Sequence, residues 1–253
     1  ESSMLYLRAR RDREAFYAEL ADGRIKRLAG PPYEEVVYSG EEYDPAEVKL
    51  LPPSEPTKIV AVGLNYAKHA AELKEKLAGN PVLFIKPATS LIAHGEAIVW
   101  PAASQRVDYE AELAVVIGKA CKAVTPEEAP DYIFGYTALN DVTARDLQKA
   151  DIQWTRAKSF DTFCPVGPYI DTAYNPAGRR VQSVVDGVIK QTGNTDDMLF
   201  SPAELVSFIS ECMTLLPGDI IATGTPEGIG PLRRGGVVEI RIDGLETLRN
   251  SVE

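Results

Sequence analysis

Histidine and cysteine are scarce in this chain. Among 253 residues there are two histidines, His69 and His94, and three cysteines, Cys121, Cys164 and Cys212. The cysteines are odd in number and show no CxxC spacing. That argues against a disulfide scaffold or a cysteine-based zinc site, and leads us to expect reduced thiols in a cytoplasmic protein. Any histidine chemistry has only two residues to draw on. An excess of basic charge is also missing: the formal net charge is -10, and the densest run of arginines, residues 8–13, is interrupted by Asp12. A duplex-binding surface needs a basic patch, so nucleic acid is not an expected partner. No window approaches 18 uncharged apolar residues, and ESSMLYLRARRDREAF lacks an apolar core, so neither a membrane span nor a signal peptide is expected.

Hydrophobic residues make up 45% of the chain, enough for one large domain or a main domain with an appendage. Residues 4–50 are polar and weakly alternating, with a strand-like MLYLRAR and a turn at Ala21-Asp22-Gly23. The three prolines of LLPPSEPTK read as a linker, which sets expected boundaries at 1–55 for a small N-terminal module and 56–253 for the main domain. Apolar strands follow: KIVAVGL, PVLFIKP, AIVW, ELAVVIG, IFGYTAL, DIIATG and VVEIRI. Helices are few. Thr125-Pro126-Glu127-Glu128 and Ser201-Pro202-Ala203-Glu204 carry the capping-box pattern, and Asn65 is placed to cap a helix over 65–79 with an apolar stripe of Tyr66, Ala70, Leu73 and Leu77. Strands outnumber helices without alternating with them, so the expected fold is β-rich α+β rather than a doubly wound or barrel type.

VDYEAELAVVIG, residues 107–118, is anomalous. Asp108, Glu110 and Glu112 stand at alternate positions of a strand, which puts three carboxylates on one face and Tyr109, Ala111 and Leu113 on the other. Side chains two apart on a strand are separated by about 6.5 to 7 Å. Like charges so placed repel unless water or a cation lies between them, so the face is either solvated or a metal site. Asp141, after IFGYTALN, is a third acid for the same cation or a helix N-cap. All-oxygen ligation would select Mg2+, Mn2+ or Ca2+ over zinc.

His69 and Glu72 lie three apart on one helical face, an arrangement that is either incidental or an acid–imidazole dyad acting as general base. Lys158, in TRAKSFDTFCP, is by itself an ordinary surface lysine. Arg145 either holds carboxylates of the site or pairs with Asp146, and Gln148 lies one turn further along. ATGTPEGIGPL lacks the Gly-Lys-Ser/Thr of a phosphate loop. It is a tight connection or a turn presenting backbone N–H groups and the hydroxyls of Thr223 and Thr225.

VDYEAELAVVIG, GYTALNDVTARDLQ, TRAKSFDTFCPVGPYI, IIATGTPEGIG and GLNYAKHAAE together resemble the fumarylacetoacetate hydrolase family over residues 58–250. The resemblance implies a mixed β-sandwich-like roll, a homodimer, and an Mg2+ or Mn2+ ion, replaceable by Ca2+, held by Glu110, Glu112 and Asp141. It further implies that His69 and Glu72 form the base dyad on a lid helix and that Lys158 stabilises an oxyanion or enolate. Gln148, Arg145, Gly224 and Thr225 are implied to bind a small 2-oxo acid. The short N-terminal segment points to the smaller bacterial-type branch, whose reactions include acylpyruvate-type C–C hydrolysis, oxaloacetate decarboxylation and isomerisation of 2-hydroxyhepta-2,4-diene-1,7-dioate in aromatic catabolism. The H-x-x-E pattern favours hydrolysis through a metal-stabilised enolate. The readings from other classes are a glycosidase, for which two tryptophans supply few sugar platforms, and a structural Ca2+-binding protein, which would not need Lys158, Gln148 or His69.

Overall fold

In the computed structural model, which describes residues 4–77 and 79–253, strands dominate and are arranged in three sheets. The largest runs, from one edge, Tyr38–Tyr43, Arg24–Leu28, Glu14–Ala21, Leu5–Arg11, Cys164–Asp171, Ile133–Asn140, Ala111–Ile117, Ile220–Ala222, Ile59–Gly63, Val82–Lys86. Most neighbours are antiparallel, but Ile220–Ala222 and Ile59–Gly63 run parallel, so the sheet is mixed. A five-stranded sheet, ordered Val188–Asn194, Arg180–Val185, Val237–Ile242, Leu248–Val252, Ala97–Ile98, lies over part of it. This is the β-rich α+β architecture that the strand-heavy pattern predicts.

The central strand explains the roll. ELAVVI is apolar on both faces because both faces are covered. Leu113 joins Ala138, Val181, Val238, Ile240 and Leu248 in the core between the two sheets. Val115 and Ile117, further along the same face, meet Leu205, Val206 and Ile209 of the helix Pro202–Cys212. Ala114 and Val116 point the other way, into a cluster with Ile59, Ala61 and Cys164. Each fully buried Leu or Ile here stabilises the fold by ~1.5–3 kcal/mol.

The N-terminal strands continue the large sheet rather than standing apart from it, since Leu5 pairs with Asp171 and Tyr6 with Ile170. Three expected elements differ in detail. VDYEAELAVVIG is two strands: Val107–Tyr109 pairs with Thr143–Ala144 and Gly230–Pro231 in a small sheet, and only Ala111–Ile117 enters the large one. The chain changes sheet at Glu110, whose N–H donates to Asn140 Oδ1 (3.0 Å) and whose carbonyl accepts from Asp141 N (3.0 Å). The Thr125–Glu128 capping box forms, with Thr125 N to Glu128 Oε2 at 2.9 Å, but the helix gets no further than a turn and the 3-10 segment Ala129–Tyr132. Pro130 has no N–H to extend it.

The helix expected over 65–79 covers only Ala67–Glu72. Lys74 takes the left-handed conformation (φ 57), its N–H reaching Ala71 O while Glu75 N reaches Ala70 O. That closes the helix in the way a C-terminal glycine usually does. Asn65 is not its cap: the side chain is buried, donating to Phe200 O and Thr223 O and accepting from Phe200 N. Leu77, assigned to the apolar stripe, is exposed, and Ala78 lies outside the described residues. Ser201 behaves as expected, with reciprocal bonds to Glu204 and Pro202 in the first turn.

Candidate active site

Glu110 sits where the chain passes between sheets, Glu112 one step into the large sheet, and Asp141 just beyond the adjacent strand Ile133–Asn140. Their carboxylate oxygens lie within 4.8 Å of one another, and all three residues are buried. Oxygens around a six-coordinate Mg2+ or Mn2+ ion, bound at about 2.1 Å, stand about 3 to 4 Å apart, so the donor set and its spacing suit a hard dication. The charge around it points the same way. Arg145 Nη2 and Lys158 Nζ bond Glu110 at 2.5 and 3.1 Å, and Lys86 and Lys158 bond the two oxygens of Asp141 at 2.6 and 2.9 Å. Among the described residues Glu112 accepts only the Gly224 N–H, at 2.9 Å. Burial, with Asp141 and Glu110 close by, pushes its carboxyl well above the usual range. A buried carboxylate without a hydrogen-bonded cation is what a bound metal would neutralise.

Burial would raise Glu110 too, but Lys158 and Arg145 outweigh it and hold the carboxyl low. Burial would lower Lys158, yet Asp141 and Glu110 outweigh it and keep the ammonium charged. Lys158 is no surface lysine: it closes the short helix Thr155–Lys158 inside the site, bonded also to Thr143 Oγ1 at 2.7 Å. Its ammonium lies 4.9 Å from the centre of the Phe84 ring, a cation–π contact.

His69 Nδ1 lies 3.0 Å from Glu72 Oε2, with the imidazole buried and the carboxylate partly exposed. An ionised Glu72 can only accept, so Nδ1 carries the hydrogen and Nε2 is left for the cavity. His94 does something else: its Nδ1 accepts from Arg249 N at 3.0 Å in the turn before Gly95.

Arg145 resolves between its two sequence readings. It bonds Glu110, Asp108 Oδ2 (2.9 Å) and Gln148 Oε1 (2.6 Å), whereas Asp146 is taken by Ser104 Oγ and Gln105 N. Asp108 thus steadies the arginine that steadies Glu110. Gln148 spends its oxygen on Arg145 and keeps its NH2 for the cavity. In the glycine turn, Thr223 Oγ1 donates to Leu113 O. Thr225 Oγ1 donates to Ala111 O and accepts from Gln191 Nε2, and Gly224 N is held by Glu112. The turn's donors face the protein itself, so a substrate carboxylate at Thr225 would have to displace one of these bonds.

His69, Glu110, Asp141, Arg145, Gln148, Lys158 and Thr225 line one cavity of 20 Å3, closed on the other side by Leu73, Phe84 and Trp154. That volume holds about one water. A larger cavity of 650 Å3, lined among others by Tyr136, Tyr174 and Met198, contains none of these residues. Sequence reasoning missed Lys86, whose signal was a lysine inside the apolar run PVLFIKP. It also missed Tyr109, Gln191 and Trp154, which no local pattern distinguishes.

A buried acidic triad on a mixed roll has the donors and spacing that suit a hard metal ion, and its Glu110 and Asp141 share one cavity with Lys158 and with His69 of the imidazole–carboxylate pair. Residues 58–253 match the model of the fumarylacetoacetate (FAA) hydrolase C-terminal domain, and residues 4–53 match the Rv2993c-like N-terminal model. The chain therefore belongs to the fumarylacetoacetate hydrolase family. Oxaloacetate tautomerase YisK of Bacillus subtilis is 41% identical over 225 residues, covering 83% of this chain and 75% of that one. The crystal structure of 2-hydroxyhepta-2,4-diene-1,7-dioate isomerase from Mycobacterium marinum superposes with a TM-score of 0.92 at 41% identity, covering 98% of each chain. Fumarylpyruvate hydrolase from Pseudomonas aeruginosa, in complex with Mn2+ and pyruvate, superposes with a TM-score of 0.74 at 33% identity, covering 81% of this chain and 91% of that one.

Proposed function

We propose that this protein is a divalent-metal-dependent hydrolase that cleaves the C3–C4 bond of a 2,4-dioxo acid of the acylpyruvate type. The observation that carries the reading is the meeting of His69, backed by Glu72, with Lys158 and with Glu110 and Asp141 of the acidic triad around one cavity. Glu110, Glu112 and Asp141 would hold Mg2+ or Mn2+, which when bound would supply Lewis-acid polarisation of a substrate oxygen. Gln148 donates its free NH2 to a substrate oxygen.

His69 Nε2, its ring held by Glu72, takes a proton from water as the water oxygen adds to C4. Collapse of this adduct breaks C3–C4. The acyl fragment leaves as a carboxylic acid, and the electron pair passes to the three-carbon fragment as an enolate whose oxygen faces the Lys158 ammonium. The proton on His69 then goes to C3, giving pyruvate. A 20 Å3 cavity cannot hold such a substrate, so the segment carrying His69 must move away to admit it.

One relative supports a second reading. An enzyme named as an oxaloacetate tautomerase shares 41% identity, and keto–enol exchange needs the same enolate without attack by water. The test is loss of the ultraviolet enol absorbance of a small acylpyruvate with Mn2+ and then with EDTA, together with assays for pyruvate release and for oxaloacetate ketonisation. Metal-dependent pyruvate release abolished by His69→Ala supports the hydrolase. Oxaloacetate ketonisation without pyruvate release replaces it with the tautomerase. No turnover in any of these assays rejects both.

A further inference from the structure

The glycine turn binds the protein's own carboxylates. Gly224 N–H is taken by Glu112, and four residues later Gly228 N–H donates to Glu72 Oε1 at 3.1 Å, the oxygen that His69 does not use. The carbonyl of the same Gly228 accepts the Tyr109 hydroxyl at 2.9 Å. Tyr109 immediately precedes Glu110. It is buried, and its hydroxyl is the donor because the Gly228 carbonyl can only accept.

Both glycines of EGIG are required by this contact. Gly228 has φ +97, and a Cβ there would lie 2.5 Å from Lys190 O; a Cβ on Gly230 would lie 2.9 Å from the Tyr109 hydroxyl itself. Gln191, buried between Thr225, Pro226 and Ala111, holds the turn from the other side.

We infer that Tyr109 is a positioning residue for the base dyad: by fixing the Gly228 carbonyl it aims the Gly228 N–H at Glu72, and through Glu72 it sets the orientation and tautomer of His69. One turn thereby ties a carboxylate of the acidic triad to the carboxylate of the dyad. This goes beyond the proposed reaction but rests on it for His69 being the base.

The two histidines make the test simple. With 15N-histidine labelling, the neutral imidazoles should show opposite tautomers, His69 protonated at Nδ1 and His94 at Nε2, with His69→Gln assigning the pair. Tyr109→Phe keeps the ring and removes one hydrogen bond. In it, the Nδ1–H population of His69 should fall while that of His94 stays. The acylpyruvate kcat should drop roughly ten-fold with KM little changed, as for a misplaced base. The Mn2+-induced shift in melting temperature should be unaltered. An unchanged His69 tautomer in folded Tyr109→Phe overturns the inference, whatever the substrate. Absence of wild-type turnover sinks the hydrolase reading instead and leaves the tautomer result to decide the positioning role. If Tyr109→Phe does not fold, Tyr109→Leu, which also lacks the hydroxyl and adds no histidine, is read in the same way.

Discussion

Lys86 Nζ lies 2.6 Å from Asp141 Oδ1, and neither side chain reaches solvent. The pair joins the edge strand Val82–Lys86 to the loop carrying a candidate metal ligand, and Lys86 also donates to Val142 O. Breaking a buried pair on one side costs about 3 to 5 kcal/mol, because the remaining charge is left uncompensated. Lys86→Met should therefore lower stability to urea by that order. A dication bound at Asp141 replaces part of the lost charge, so saturating Mn2+ should restore more stability to Lys86→Met than it adds to the wild type. Equal increments in the two proteins would show that Lys86 and the ion do not share Asp141.

Glu112 calls for the opposite sign. It is the triad carboxylate without a hydrogen-bonded cation, and Glu112→Gln removes a buried charge while keeping an oxygen for Gly224 N–H. In EDTA the variant should be as stable as the wild type or more so. With Mn2+ added it should lose the stabilisation that ligand binding confers, about 2.7 kcal/mol at a hundred-fold excess over Kd. Thermal melts with and without Mn2+, alongside calorimetric titration, measure both effects. A large loss of stability in EDTA would mean that Glu112 is structural rather than a ligand.

Asp219 makes acid sensitivity predictable. It is buried, which would raise its pKa, but Lys58, the backbone N–H groups of Leu216 and Thr57 and the Thr57 hydroxyl outweigh that and lower it. A carboxyl lowered on folding stabilises the protein above its unfolded value, about 3.9, and that contribution is lost as pH falls through the folded value. Asp219→Asn should cost about 2 to 3 kcal/mol near neutrality, through the lost charged hydrogen bonds. The gap from wild type should hold from pH 8 to about 5 and close below about 4. A gap independent of pH down to complete acid unfolding would remove Asp219 from the account.

How far the site could be read from the sequence depended on how local its signal was. Glu110 and Glu112 are conspicuous because two acids interrupt an apolar strand within three residues, and His69 with Glu72 because helical spacing brings them together. Lys86 is one lysine whose partner lies 55 residues away, and the partner's position follows only from the order of strands. Asn65 looked like a helix cap because its neighbours are helical, yet its amide is claimed by Thr223 and Phe200 across the fold. The end of that helix was misjudged because the left-handed position is held by Lys74 instead of glycine. Glu110 read as mid-strand because a change of sheet leaves the apolar–polar alternation intact. A β-rich α+β fold follows from the density of apolar strands; the strand order does not, and the mixed roll was legible only through the family resemblance.

Trp154 and Gly63 set the apolar wall of the cavity. The Trp154 ring stands edge-on to Phe84, centroids 5.5 Å apart at 76°, and a Cβ on Gly63 would lie 2.8 Å from its Cζ3. The glycine is there so that the indole can lie against the backbone. Gly63→Ala forces the ring to shift, at about 1 to 2 kcal/mol for overpacking. If the acyl group of the substrate rests on this wall, KM should rise by roughly five- to thirty-fold, the kinetic equivalent of that energy, with kcat much less affected. Only Trp154 and Trp100 fluoresce as tryptophans, so the variant's emission should also change. Trp154→Phe makes room for the added methyl, so the double variant Gly63→Ala/Trp154→Phe should bind substrate better than the two single effects added together predict. Strict additivity would mean that the two residues do not meet, and that something other than Trp154 shapes the end of the cavity where the acyl group is expected.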